Sequence, residues 1–285
     1  MKVVLRDKMS ALYVAMFLVG VGILLYPTIS NMWNNHTFKT MVSTYESNIN
    51  GRTDEIDRLL KDAEAYNDAL SPKRVPDAFA AREGVEDVDY EAVLNINSDG
   101  MMGYIDVPAI KIEIPIYHYT SEEVLKMGVG HLAGSSIPVG GRGTHAVLSA
   151  HRGLPKAKLF TDLNLMVKGD AFFIHVLDRT LKYEVDQILI VKPNETDALA
   201  VTEGEDLVTL VTCTPYGINT ERLLVRGHRV PFEKADKKVA SGRKDYKRIM
   251  MIIMCILAGA ALAYIANRLG EGKRKNEGRK KIFIQ

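Results

Sequence analysis

The sequence is poor in cysteine, and this scarcity restricts the chemistry available to it. Its 285 residues include only two cysteines, Cys213 and Cys255, which are too far apart to form a C-x-x-C motif. A thioredoxin-like redox function is therefore not indicated. The net charge is small, +2 with 25% charged residues, so the composition gives no signal for nucleic acid or for an acidic partner. No internal repeat and no cluster of acidic ligands stands out, and we predict neither a metal nor an organic cofactor.

Two long segments contain no charged residue. Residues 9–30 and 249–267 are nearly continuous apolar runs, each about as long as a helix that crosses the hydrocarbon core of a membrane. Neither run has the polar stripe that a buried helix of a soluble protein normally shows. We therefore predict two transmembrane helices at these positions, with a cleaved signal peptide as the alternative for the first.

The distribution of lysine and arginine predicts the orientation of the two spans. Lys2, Arg6 and Lys8 precede the first span and only Lys39 lies close behind it, so the N-terminus should face the cytoplasm. Basic residues flank the second span on both sides, so they do not indicate its orientation. Because a chain that crosses the membrane twice returns to the side where it began, the C-terminus should also face the cytoplasm. The prediction is a cytoplasmic N-terminus (1–8), an extracytoplasmic region (31–248) and a basic cytoplasmic tail (268–285).

The two spans separate the cysteines from each other. Cys255 lies within the second span, where we expect it to be an inert apolar side chain. Cys213 is then the only cysteine of the extracytoplasmic region, although exported proteins usually pair their cysteines or lack them. An unpaired cysteine in this compartment indicates a reactive thiol or an intermolecular link. A buried structural cysteine remains the alternative.

Between the spans, the pattern of the sequence changes twice. Residues 38–70 are polar with a helical apolar stripe that Gly51 interrupts, which predicts two helices. Residues 71–90 carry two prolines and many charges, and they indicate a long loop that is either disordered or functional. From Gly103 onwards, short apolar runs rich in β-branched residues alternate with turns, which favours an all-β barrel or sandwich. A charged linker at 233–248 leads to the second span.

The best candidates for chemistry lie at the ends of predicted strands. Cys213 closes one apolar strand, and Arg222 opens the next after a turn that contains Pro215 and Gly217. In an antiparallel pair with such a turn, both side chains can lie at the same end of the sheet. Arginine stays protonated and cannot act as a base, but it can donate a fork of hydrogen bonds to a carbonyl oxygen.

A thiol nucleophile also needs a neighbouring base or cation, and His151 is the best candidate for it. His151 follows the apolar run HAVLSA and begins a turn, and the ends of strands are where active sites are often built. For His131 and His145 we favour structural hydrogen bonding over catalysis. A zinc site formed by the three histidines lacks a recognised ligand spacing.

These residues lie in segments that resemble a known family. LSAHRGLPKAKLFTDL and TLVTCTPYGINTERLLVRG resemble the His and Cys-Arg signatures of the sortases, and GYIDVPAIKIEIPIYHYTSEEVLKMGVGHLAGSSIPVGG resembles the opening strands and first helix of that fold. The resemblance implies a mainly β structure, an eight-stranded closed sortase-type barrel with short helices at 103–232. It also implies an N-terminal helical segment at 31–102 and two flanking transmembrane helices.

The resemblance also implies a reaction. Sortases are cysteine transpeptidases that cleave an LPXTG-like sorting signal between Thr and Gly, form a thioester and pass the acyl group to an amine. Cys213 would be the nucleophile, His151 its proton-transfer partner and Arg222 the support of the oxyanion. The backbone N–H of Thr214 is a further candidate for an oxyanion donor.

Among the sortases, the chain most resembles the pilin-polymerising class C. That class has a long N-terminal helical segment, a lid loop over the active site and a second membrane span. Its lid presents Asp-Pro-aromatic, which Asp77 and Phe79 match, whereas Ala78 replaces the proline and should loosen the lid. The alternative is a linker in which Asp77 and Phe79 touch nothing.

The class assignment implies partners and a location. The partners would be pilin subunits that carry an LPXTG-like signal and an acceptor lysine, together with the lipid bilayer, and no nucleic acid. The location would be the membrane of a Gram-positive bacterium, with the catalytic domain outside. A sortase that attaches proteins to peptidoglycan is the alternative within the same chemistry. A membrane-tethered binding domain without enzymatic activity is the alternative outside it.

Overall fold

Eight β-strands close into a barrel, which confirms the predicted fold class. The computed structural model describes residues 2–70, 76–79, 87–154, 157–233 and 258–259. Around the barrel the strands follow the order β1-β2-β3-β4-β7-β8-β6-β5. Their bounds are β1 Met101–Val107, β2 Ile112–His118, β3 Val129–His131, β4 Thr144–Ser149, β5 Ala171–Val176, β6 Arg179–Val191, β7 Asp206–Thr214 and β8 Glu221–Val230.

Four α-helices and three short 3-10 helices accompany the strands in the described residues. The α-helices are α1 Lys2–Ile49, α2 Thr53–Ala69, α3 Val88–Ala92 and α4 Glu122–Met127. The 3-10 helices are Pro108–Ile110, Leu163–Leu165 and Asp197–Leu199.

The alternation of apolar side chains explains the barrel. Along β6, the buried residues are Leu181, Tyr183 and Val185, one at every second position, because successive side chains of a strand point to opposite faces. The short apolar strands β1 and β2 contribute Ile105 and Ile114, which are also fully buried. The inward side chains of all strands thus form one core.

Helix α1 is a single helix that extends from the predicted membrane span onto the barrel. Among the described residues it is the one helix long and apolar enough to cross a membrane. Beyond the apolar run, Phe38, Val42 and Tyr45 are buried against the barrel. The Tyr45 hydroxyl donates to the backbone oxygen of Met102, at 3.1 Å.

The predicted interruption near Gly51 and the second helix are confirmed. Gly51 has a φ of +82°, a conformation that favours glycine and ends the helical run between α1 and α2. In α2, the stripe predicted from the sequence is buried at Ile56, Leu59, Leu60 and Ala63. The predicted second span, with Cys255, lies outside the described residues apart from 258–259.

The loop predicted over 71–90 needs a correction at its C-terminal end. Helix α3 begins there at Val88, because the Asp87 carboxylate accepts hydrogen bonds from the backbone N–H groups of Asp89 and Tyr90, at 3.1 and 3.2 Å. A helix of five residues is too short to produce a helical stripe in the sequence, so the pattern did not reveal it.

Candidate active site

The β7–β8 hairpin brings Cys213 and Arg222 together, as the sequence predicts. The two residues lie directly opposite each other in the antiparallel register. Cys213 is half-buried and makes no disulfide bond. Arg222 is also held from its own hairpin, because its Nη1 donates to the backbone oxygens of Asn219 and Glu221, each at 3.3 Å.

The parallel pair β4–β7 delivers His151 to the same place. Ser149 is the register partner of Val211, and two further steps along both strands place His151 opposite Cys213. The pairing continues past the end of β4, since the Ala150 N–H donates to the Val211 oxygen at 3.2 Å. The Thr212 hydroxyl donates to the Ala150 oxygen at 2.8 Å. Neighbouring strands lie about 4.8 Å apart, so the backbone positions of His151 and Cys213 are adjacent.

A second contact between these strand ends was not predicted from the sequence. Arg152, directly after His151, donates from Nη1 to the hydroxyl of Thr214, directly after Cys213, at 2.8 Å. Its Nε donates to the backbone oxygen of Thr161 at 3.3 Å. This hydrogen bond therefore links the residue after His151 to the residue after Cys213. In the sequence, only the position of Arg152 directly after His151 could have indicated this contact.

Gly153 allows the next turn to pass close to the β7–β8 loop. Its φ is +85°, and a Cβ at this position would lie 2.8 Å from Cε2 of Tyr216. Any side chain at Gly153 would thus collide with the Tyr216 ring as well as strain the backbone. The loop that follows His151 is consequently packed against the loop that follows Cys213.

The segment 76–79 lies over this site. The Asp77 carboxylate accepts two hydrogen bonds from Arg222, from Nε at 2.8 Å and from Nη2 at 2.7 Å. Both side chains are only 12–13% exposed. The Phe79 ring lies 5.1 Å from the guanidinium carbon and 6.0 Å from the His151 ring. Ala78 is buried at the position where the family pattern has proline. The structure therefore places Asp77 and Phe79 in contact with the predicted catalytic residues.

Burial of the site favours the protonated form of the Cys213 thiol. It raises the pKa of Cys213, and the charge of Arg222 opposes this shift while that of Asp77 adds to it. Arg222 thus favours the thiolate, but its effect is outweighed as long as the site is covered. A nucleophilic thiolate requires that this balance be reversed.

His151 is shifted towards its neutral form. Burial lowers its pKa, the nearby carboxylate of Glu122 opposes the shift, and Lys126 adds to it. The Glu122 Oε2 atom lies 3.5 Å from Nε2 of His151, and no hydrogen bond to that nitrogen is made by the described residues. At this distance the contact is electrostatic. Glu122 at the start of α4 was not anticipated from the sequence.

The other two histidines singled out in the sequence have structural bonds. His131 has Nδ1 at 2.6 Å from the Tyr90 hydroxyl and Nε2 at 2.8 Å from the Ser136 oxygen, and burial lowers its pKa to about 4. His145 has Nδ1 at 2.8 Å from the Ala200 oxygen and Nε2 at 2.7 Å from the Thr209 hydroxyl. These bonds occupy the ring nitrogens that a zinc ion would need. Within the described ranges no group of His, Cys, Asp and Glu side chains has metal-binding geometry.

Comparisons with known proteins agree with this site. The Sortase domain family model matches residues 105–230. The structure is similar to sortase C of Streptococcus pneumoniae, with a TM-score of 0.64 and 42% identity, covering 68% of this chain and 97% of that one. It is also similar to sortase C-1 of Actinomyces oris, with a TM-score of 0.60 and 46% identity, covering 62% and 99%.

A more distant sequence relative is sortase A of Bacillus anthracis. It is 26% identical over 154 residues, which cover 53% of this chain and 71% of that protein. The identity to the sortase C structures is higher and extends over nearly their whole length. The chain belongs to the sortase family of cysteine transpeptidases and most resembles its class C members.

Proposed function

We propose that the protein is a membrane-anchored sortase of the pilin-polymerising class. It would cleave an LPXTG-like signal between Thr and Gly and transfer the acyl group from Cys213 to a lysine side chain of a pilin. The observation that carries this proposal is the Asp77–Arg222 pair, which covers the Cys213–His151–Arg222 group. The similar sortase C of S. pneumoniae is described in terms of pilin substrate specificity, and that of Group B Streptococcus is described as pilus-related.

In the first half of the reaction, the Cys213 thiolate attacks the carbonyl carbon of the Thr residue in the signal. The imidazolium of His151 gives its proton to the departing Gly amine, so the peptide C–N bond breaks as the thioester forms. The guanidinium of Arg222 donates to the oxyanion of the tetrahedral intermediate, together with the backbone N–H of Thr214.

In the second half, the amine of the pilin lysine attacks the thioester carbon. His151, now neutral, accepts the proton that the amine loses, and Arg222 again supports the oxyanion. The C–S bond breaks, an isopeptide bond forms, and the thiolate and imidazolium are restored. No redox partner or cofactor is needed for this balance.

The covering segment would act as a lid on this cycle. Asp77 accepts hydrogen bonds from two donors with which Arg222 would support an oxyanion, and the Phe79 ring contacts both Arg222 and His151. Lifting the segment would free the guanidinium, hydrate the thiol and remove the charge of Asp77. All three changes favour the thiolate.

Helix α1 is the part of the described chain that would anchor the enzyme. It holds the predicted first span and is long and apolar enough to cross a membrane. The anchor would keep the barrel on the extracytoplasmic side, where the predicted orientation places residues 31–248. The second span and the basic tail belong to the same proposal.

The decisive test is polymerisation of pilins by the full-length enzyme in detergent or vesicles. We expect ladders of linked pilins that disappear in Cys213→Ala and that contain Thr–Lys isopeptide bonds by mass spectrometry. A pilin whose acceptor lysine is replaced should be cleaved but not extended. Transfer to a peptidoglycan stem peptide with no pilin ladder would instead assign the wall-anchoring function. Full biological activity of Cys213→Ala would support the non-enzymatic binding domain.

A further inference from the structure

The directions of the strands show which loops share one end of the barrel. β4 and β7 run parallel and stop at Ser149 and Thr214, so both stop at the end that carries Cys213. The parallel or antiparallel pairing of each neighbour fixes the direction of the remaining strands. The same end therefore carries the β1–β2, β4–β5 and β7–β8 connections and the C-terminus of β6. We call it the catalytic end.

Helix α1 leaves the barrel at the catalytic end. Its C-terminal part is bound at the start of β1, through the hydrogen bond from Tyr45 to Met102. Towards its N-terminus, Oδ1 of Asn31 accepts the N–H of Lys158 in the β4–β5 connection at 2.9 Å. The Lys158 ammonium in turn donates to the oxygen of Ile110, in the β1–β2 connection. Asn31 directly follows the predicted span, so no spacer separates the span from the catalytic end.

Exposed apolar side chains are concentrated at this same end. Outside α1, the described residues include eight large apolar side chains that are exposed, and only Val88 and Val201 of these lie elsewhere. Single exposed apolar residues are ordinary, so the observation that needs an explanation is their unequal distribution between the two ends. The six at the catalytic end are Met127, Leu165, Val167, Ile190, Tyr216 and Ile218.

We propose that the catalytic end of the barrel rests on the outer surface of the membrane that α1 crosses, with these apolar side chains in the interfacial layer of the lipid. This inference depends on the membrane anchoring stated in the proposed function. It adds that the active site opens towards the bilayer and not away from it. The occupant of the exposed apolar surface is thus the lipid.

The arrangement of the six side chains favours lipid over a bound peptide. They are spread over four separate parts of the rim, the end of α4, the β4–β5 connection, the end of β6 and the β7–β8 connection. An extended peptide would follow one groove, whereas a bilayer surface meets the whole rim at once. Exposed Lys168 and Lys192 stand beside Val167 and Ile190, and lysine beside apolar side chains is typical of interfacial surfaces.

Lipid-quenching fluorescence tests this inference on the full-length chain. In a Cys213→Ser, Cys255→Ser background, we would place a single fluorophore at Leu165→Cys or Val167→Cys. The matched control is Val201→Cys, another exposed aliphatic position, which lies before β7 at the opposite end. The vesicles contain phosphatidylcholine and phosphatidylglycerol with a nitroxide on the headgroup. Trp33, the only tryptophan, is 74% exposed just beyond the span and reports independently on α1.

We expect the nitroxide lipid to quench Trp33 and the labels at 165 and 167, and to leave the label at 201 bright. If Trp33 is quenched but the labels at 165 and 167 stay as bright as that at 201, the inference is overturned and the anchoring stands. An unquenched Trp33 would overturn both. If the labels at 165 and 167 are not quenched by the lipid but change their fluorescence when an LPXTG-like peptide is added, the surface belongs to the substrate and the inference is overturned.

Discussion

Asp77 and Arg222 form a two-point ion pair between residues 145 positions apart in the sequence. The pair joins the covering segment to the strand opposite Cys213, and both partners are almost fully removed from water. The carboxylate occupies the donors that the proposed reaction needs. The ion pair is therefore the place where the covered and the reactive states of the enzyme differ most.

Asp77→Asn should make Cys213 more reactive. The change removes a negative charge that raises the pKa of the thiol and leaves the charge of Arg222, which lowers it. The rate of thiol labelling should increase at neutral pH, and its pH profile should move to lower pH. Asp186→Asn is the matched control, because Asp186 forms an equivalent two-point pair with Arg226 on the same barrel. Equal labelling of wild type and Asp77→Asn would contradict the role of the pair.

Phe79→Ala should also speed labelling of Cys213, by a different cause. The ring covers Arg222 and His151, so its removal should admit water and reagent to the site without altering any charge. The maximal labelling rate should rise, whereas the position of the pH profile should change little. Phe232→Ala serves as control, since Phe232 packs against Phe173 near the end of β8. Unchanged labelling in Phe79→Ala would remove the support for a lid.

Glu122→Gln should lower activity and shift its pH dependence. The carboxylate raises the pKa of His151, so its neutralisation lowers that pKa further. Because the pKa of the thiol is raised and that of the imidazole is lowered, the thiolate–imidazolium form is the minor one, and the change makes it rarer.

The measurement for Glu122 is the pH profile of kcat/KM. Its plateau should fall, and its acidic limb, which follows His151, should move to lower pH. Glu123→Gln, one residue along the same helix, should leave both unchanged. A lower plateau with an unmoved acidic limb would show that Glu122 acts through the structure of α4 and not through the charge of His151.

Arg152 and Thr214 should act as a unit in positioning His151 and Cys213. A hydrogen bond with a charged donor contributes about 1.5–3 kcal/mol, so Arg152→Ala or Thr214→Val should each lower kcat on the order of 10- to 100-fold. The double variant should lose little more than either single one. Thr214→Ser, which retains the hydroxyl, should restore most of the rate. Additive losses would show that the two residues act separately.

Tyr90→Phe should destabilise the fold by about 1–3 kcal/mol, because the buried Nδ1 of His131 would lose its hydrogen-bond partner. The free energy of unfolding in urea measures the effect. Tyr66→Phe is a suitable control, since that ring packs against Tyr90 but is only partly buried. A Tyr90→Phe protein as stable as wild type would show that water or a rearrangement replaces the bond.

Local patterns predicted the strands and the β7–β8 part of the site, whereas the closed eight-stranded barrel was predicted from the resemblance to the sortases. Alternating apolar residues predict strands, and Cys213 and Arg222 are nine residues apart on one hairpin. The position of His151 at a strand end was also predictable. Its pairing with Cys213 depends on the parallel β4–β7 register, which brings together residues about sixty positions apart and has no local pattern.

The contacts that were missed are those made by single polar side chains across the fold. Glu122 was not anticipated because its distance to His151 depends on where the short helix α4 lies. The sequence does not show that Thr214 is the hydrogen-bond partner of Arg152, because this pairing depends on the tertiary structure. Ala78, within the covering segment, is buried among apolar side chains, and the expectation that it loosens this segment stays a prediction.

The parallel pairing of β4 with β7 has a consequence for the order of folding. Parallel neighbours require a long crossover, and here β5 and β6 lie in the sequence between the histidine and the cysteine. His151, the proposed acid–base partner, can therefore meet the thiol only after most of the barrel has formed. A chain whose barrel is incomplete carries Cys213 without this neighbour. Formation of the barrel thus assembles the proposed catalytic group, and the segment 76–79 covers it.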